Sequence, residues 1–208
     1  MGCDIHICTE ARKSVGGEMR WVNIDHFKLN NYYNEEAPED GEREWELVPI
    51  YDRRDYALFS ILADVRNHSN NVPISKPKGI PDDCSKVTRK EIDYWGVDGH
   101  SHSYLTLREL LEYLETYSTV KYSGKVSKEQ AEDLDKYGIK PDSWCQGTNN
   151  PEYVYREWTE RNNVLDALID GLKKRVCDEF WIYDWEKDKE AKIRRLMDKV
   201  RIVFWFDN

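Results

Sequence analysis

The closing run Val200-Arg201-Ile202-Val203-Phe204-Trp205-Phe206 constrains the fold more than any other segment. Apolar side chains stand at both odd and even positions, so a strand here needs cover on both faces and belongs in the interior of a sheet. The opposite end of the chain offers it company. Cys3-Asp4-Ile5-His6-Ile7-Cys8 alternates, with Cys3, Ile5 and Ile7 on one face and Asp4, His6 and Cys8 on the other, the pattern of a half-buried strand. Met19 to Ile24 reads as its hairpin partner across Gly16-Gly17, because glycines supply the positive φ that tight turns need.

Helix signals dominate the rest. Asp52-Arg53-Arg54-Asp55 leads into a short, largely buried helix over Tyr56 to Ala63. Thr106-Leu107-Arg108-Glu109 is a capping box opening a helix to about Tyr117. Ser127-Lys128-Glu129-Gln130 opens another, closed by Gly138 and Pro141. Val154, Trp158, Val164, Leu165, Leu168, Ile169 and Leu172 predict one long helix from about Pro151 to Cys177, and Glu186 to Asp198 a charged one. Residues 30–46 read as an acidic exposed loop, and a long irregular loop is expected at about 67–104, punctuated by Pro73, Pro77, Gly79 and Pro81. The expected class is α+β: a single domain over residues 1–208, its mixed or antiparallel sheet including both terminal strands and packed against several helices.

Composition excludes several alternatives. The mean hydropathy is −0.83 and 34% of the 208 residues are charged, yet eight Trp, 13 Tyr and five Phe are present. Disordered chains are poor in such residues, so this one buries an aromatic core. No apolar run reaches the roughly 20 residues of a membrane span, nor is there a secretory leader pattern. Met1-Gly2-Cys3-Asp4 starts like a myristoylation site, but His6 stands where Ser or Thr is needed. Five scattered cysteines without a C-x-x-C pair argue for free thiols in a cytoplasmic setting. A net charge of −9 counts against nucleic-acid polymers as partners, because phosphate neutralisation needs a concentrated basic face. A local basic pocket for a small anion is still compatible with it.

Candidate chemistry gathers in three places. Asp4-x-His6 puts a carboxylate and an imidazole on one strand face, and Asp98-x-His100-x-His102 repeats that spacing. Asp4, His6 and His100 are therefore the candidate catalytic set for an enzyme and the candidate ligands for an optional divalent metal, with no cofactor otherwise indicated. Arg53, Arg54 and Arg66 flank the short helix and offer guanidinium forks to phosphate or carboxylate. The candidate ligand-binding residues are Arg54, Tyr56, Arg66, Asn67, Asp82, Asp83, His100 and Tyr104. Asp82 and Asp83, in the turn Ile80-Pro81-Asp82-Asp83, suit a turn cap first, and otherwise ribose hydroxyls or a metal ion, while Tyr56, Trp95 and Tyr104 suit a stacked base.

Two resemblances bear on this reading. Asp4-Ile5-His6 and Gly99-His100-Ser101-His102 are similar to two blocks of the calcineurin-like metallophosphoesterases, but G-D-x-x-D is absent and Arg66-Asn67-His68-Ser69 matches G-N-H-[ED] poorly. Met1-Gly2-Cys3-Asp4-Ile5-His6, Arg54-Asp55-Tyr56, Leu62 to Asn67, Pro77 to Asp83, His100 to Thr106 and Val203-Phe204-Trp205-Phe206-Asp207-Asn208 together resemble an uncharacterised family of small tailed-bacteriophage and prophage proteins. That resemblance implies an accessory phage protein acting in the host cytoplasm, here expected as a homo-oligomer. Its expected function is to bind a nucleotide-derived small molecule and sequester a host immune signal. The alternatives are a phosphodiester or pyrophosphate hydrolase acting on such a nucleotide, and an inhibitor of a host protein.

Overall fold

The computed structural model describes residues 2–33 and 43–207; the acidic stretch 34–42, expected as exposed loop, lies outside the described residues, as do Met1 and Asn208. In chain order the elements are β1 (Asp4–Val15), β2 (Glu18–Asn23), β3 (His26–Leu29), β4 (Trp45–Val48), α1 (Tyr56–Ala63), α2 (Lys86–Trp95), β5 (His100–Thr106), α3 (Leu107–Thr116), β6 (Thr119–Ser127), α4 (Lys128–Tyr137), β7 (Tyr153–Arg161), α5 (Asn163–Phe180), α6 (Lys189–Arg194) and β8 (Val200–Asp207). The class is α+β. The chain divides into two compact units, one built from residues 1–54, 78–110 and 167–208, the other from 55–77 and 111–166.

The first unit holds an antiparallel sheet of order β2-β1-β8-β5. Both terminal strands therefore pair, and β8 lies inside the sheet as its two-sided apolar pattern requires. Register places Asp4 opposite Asp207, His6 opposite Trp205, Cys8 opposite Val203 and Glu10 opposite Arg201. Directly paired residues share a face, so these eight side chains form one polar-aromatic surface. Ile5, Ile7, Phe206, Phe204 and Ile202 occupy the other face and are buried. Gly16 and Gly17, with φ of 62° and 87°, turn β1 into β2.

Helix α2 packs on β8, where Ile92 joins Cys8, Val203 and Trp205 in a buried cluster flanked by Leu47, Trp95 and Tyr104. This helix and β5 interrupt the irregular loop expected at 67–104. Ser85 Oγ accepts from Thr88 N at 3.1 Å, and this cap starts a helix that the surrounding prolines and charges concealed. In the same unit, a methyl group added at Gly171 of α5 would stand 2.6 Å from the Ile50 carbonyl oxygen. Gly171→Ala is expected to destabilise by about 1–2 kcal/mol in urea denaturation, since overpacking against backbone outweighs alanine's better helix propensity.

In the second unit, α1 is capped by Asp55, whose carboxylate accepts from Ala57 N and Leu58 N, and it packs on β6. The β6–β7 hairpin corrects the long helix expected from Pro151. Tyr153 to Arg161 is a strand whose even-numbered residues, Val154, Arg156, Trp158 and Glu160, are its more buried ones. Val154 and Trp158 are four apart, a spacing that suits a helix and a strand equally, so the apolar pattern alone could not separate them. The charged C-terminal helix is also shorter than expected, covering only Lys189–Arg194. β3 and β4 pair with each other, and β4 begins at Trp45, inside the end of the expected 30–46 loop.

Candidate functional site

Strand alternation carries Asp4 and His6 from β1, and Trp205 and Asp207 from β8, onto the same end of one sheet face. There they line a cleft of about 480 Å³, completed by Trp45 and Leu47 of β4, Tyr51 and Arg53 of the following loop, and Glu91, Tyr94 and Trp95 of α2. That volume suits a small organic ligand.

The imidazole of His6 is held flat. Its ring stacks on Trp95 with centroids 3.8 Å apart, and on Trp205 at 5.6 Å. Nε2 lies 3.3 Å from Asp207 Oδ2, within ion-pair range but off the hydrogen-bond axis. Asp207 is itself anchored, since its Oδ1 accepts from Asp4 N at 3.0 Å. Burial pushes the His6 imidazole below its ordinary value of 6.5, opposed by the Asp207 carboxylate. His102 is likewise lowered by burial, and by the charges of His100 and Arg89.

Both imidazoles are thus favoured neutral in the folded protein. Below about pH 6.5 the unfolded chain takes up protons that the native state refuses, so stability is lost as pH falls through that window. The urea midpoint is expected to drop between pH 7.5 and 5.5 (roughly the span in which unperturbed histidine titrates), and His6→Gln/His102→Gln is expected to flatten that drop.

The charged rim is divided between committed and open groups. Arg54 donates to Asp4 through Nε at 2.7 Å and Nη2 at 2.5 Å, and this fork holds the Asp4 carboxyl below the usual carboxylate range. Arg43 Nη1 donates to both oxygens of Glu91 at 2.7 Å, with its guanidinium 3.6 Å from the Tyr94 ring centre. Arg53 borders the cleft and has no ion-pair partner among the described residues. Trp205 is 2% exposed, and its Nε1, like Nε2 of His6 and of His102, has no hydrogen-bond partner among the described residues.

Of the residues expected from the sequence, Asp4, His6 and Arg54 come together here, with Arg53 and Trp95. His100 does not join them. It pairs with Phe206 and stacks on that ring, on the sheet face opposite to His6. An irregularity follows, with Ser101 at φ 51°, and the extra residue turns His102 to the other face, where it stacks on Trp205. The Asp98-x-His100-x-His102 spacing therefore brings no common ligand set, and Asp4, His6 and His100 cannot share one metal ion. Among the described residues no group of three or more His, Cys, Asp or Glu is arranged to hold one.

The remaining expected residues have other surroundings. Asp83 Oδ1 accepts from Arg201 Nη1 at 2.9 Å. Tyr104 lies beside that buried cluster, with Lys78 Nζ 5.1 Å from its ring centre. Asp82 is exposed in the turn before α2. Tyr56, Arg66 and Asn67 belong to the second unit. There Asn67 accepts from Asn71 N at 2.9 Å and donates to Asp64 and to the Asn71 carbonyl, stapling a turn. Trp45, Tyr94, Trp205, Asp207 and the Arg43–Glu91 pair are functional candidates that the sequence reading passed over. For Trp205 and Asp207 a signal existed, since their two-residue spacing shares a face, but their partner strand was needed to say which face.

No family model, curated protein or solved structure matches this chain. No helix among the described residues is long and apolar enough to cross a membrane.

Proposed function

We propose that the cleft binds a small nucleotide-derived molecule and withdraws it from solution. The observation that carries this reading is the pairing of aromatic walls, Trp45, Tyr94, Trp95 and Trp205, with the uncommitted guanidinium of Arg53 in one cavity. Aromatic faces stack on any base, and a free guanidinium suits a phosphate fork. Binding is favoured over turnover because Asp4 is committed to Arg54 and His100 faces away. The resemblance to tailed-phage proteins supplies the setting, a host cytoplasm in which the ligand is an immune signal and the acting form a homo-oligomer.

One observation favours hydrolysis as the second reading. His6 is clamped and paired with an anchored carboxylate, an arrangement suited to general-base work. Calorimetric titration of the full chain with cyclic and linear nucleotides, with and without Mn²⁺, tests both, followed by chromatography of the ligand released by denaturation. Intact ligand supports sequestration, cleaved ligand supports hydrolysis, and no heat with any nucleotide overturns both. Light scattering of the same samples reads the oligomeric state.

A further inference from the structure

A second cavity lies in the same unit, about 580 Å³ in volume, between the β1–β2 hairpin and the entry to α2. Trp21, Met19 and Val87 line it, and Met19 is 50% and Val87 42% exposed. Its charge is opposite to that of the chain. Arg12 and Lys86 border it with no ion-pair partner among the described residues. Its one lining carboxylate, Asp83, is already engaged by buried Arg201, and Arg20 is paired with Glu18. Two uncompensated cations thus stand over an apolar wall in a protein of net charge −9.

We propose that this cavity binds a small amphiphilic anion. A flat or aliphatic body packs on Trp21, Met19 and Val87, and a carboxylate, sulfonate or phosphate head sits by Arg12 and Lys86. Buried Arg201 lies with its guanidinium 4.0 Å from the Trp21 ring centre, which holds the indole in place as a platform. A neutral apolar molecule would leave both cations without a counter-charge, and a cationic one would be repelled. This site is independent of the cleft reading, because no residue is shared between the two linings.

The test uses two fluorescent probes on the full chain: anilinonaphthalene sulfonate, which carries the anionic head, and the neutral N-phenylnaphthylamine, which lacks it. The sulfonate is expected to bind about tenfold more tightly than its neutral analogue, and Arg12→Glu/Lys86→Glu to remove that preference while neutral-probe binding stays within about twofold. Both substituted residues are exposed, and circular dichroism checks that the variant folds. Arg53→Ala, in the other cleft and outside α2, is expected to leave sulfonate binding unchanged. Equal affinity for the two probes, indifference to charge reversal, absence of sulfonate binding, or its loss in Arg53→Ala would each overturn the proposal.

Discussion

Replacing Arg201 with alanine is expected to lower the unfolding free energy by about 3–5 kcal/mol, as for other buried pairs robbed of one partner. Side-chain exposure is 4% for Arg201 and 0% for Glu10. Nε of Arg201 donates to Glu10 Oε2 at 2.8 Å, and Nη1 to Asp83. Truncation leaves the Glu10 carboxylate buried without its cation, a larger loss than the pair's net worth. Removing both charges is expected to cost much less: Arg201→Met with Glu10→Gln keeps the volume and an acceptor for Ser85 N, which Glu10 Oε1 now takes at 2.7 Å. Urea denaturation of wild type, single and double variants checks this, and a single-variant loss below about 1 kcal/mol would contradict the buried-pair account. The consequence reaches the cleft, because Glu10 and Asp83 anchor the start of α2, the helix that carries Glu91, Tyr94 and Trp95.

Trp95→Ala is expected to weaken nucleotide binding by about 1–3 kcal/mol, roughly 5- to 150-fold, the range measured for removing one stacking aromatic. The indole stacks directly on His6, so its loss removes a wall and also frees the imidazole to turn. Trp95→Phe keeps a π face and is expected to retain most of the affinity. Arg53→Ala is expected to cost a comparable amount for phosphorylated ligands and little for the free nucleoside. Tyr137, 72% exposed in the second unit, is the control: Tyr137→Ala should leave affinity unchanged. Calorimetry across these variants separates a base-stacking cleft from a general sticky surface, which would respond to Tyr137 and Trp95 alike.

Much of the architecture was legible because its determinants are local. Alternation in β1, the two-sided apolar run of β8, the glycines of the first turn and the caps at Asp55, Thr106 and Ser127 each act within a few residues, so the terminal strands and helices α1, α3 and α4 could be read directly. The failures share one cause. Val154 and Trp158 suit two periods at once, and only the pairing of β7 with β6 chooses the strand. Ser85 caps a helix inside a stretch whose prolines suggested only loop, and the apolar contacts of Ile92 and Trp95 with β8 decide that α2 forms.

The candidate site divides along the same line. Sequence alone determined that Asp4 and His6 share a strand face, because a strand's side-chain period is two. It also determined that Trp205 and Asp207 share one, and that an arginine pair precedes α1. Only the tertiary structure decided that these two faces are the same face, since the register of β1 against β8 is a contact between residues some two hundred positions apart. It alone separated His100 from His6 and turned His102 back, because one residue with positive φ at Ser101 shifts every following side chain across the sheet. Period is written in the chain, whereas register and bulges arise from packing energies summed over distant segments.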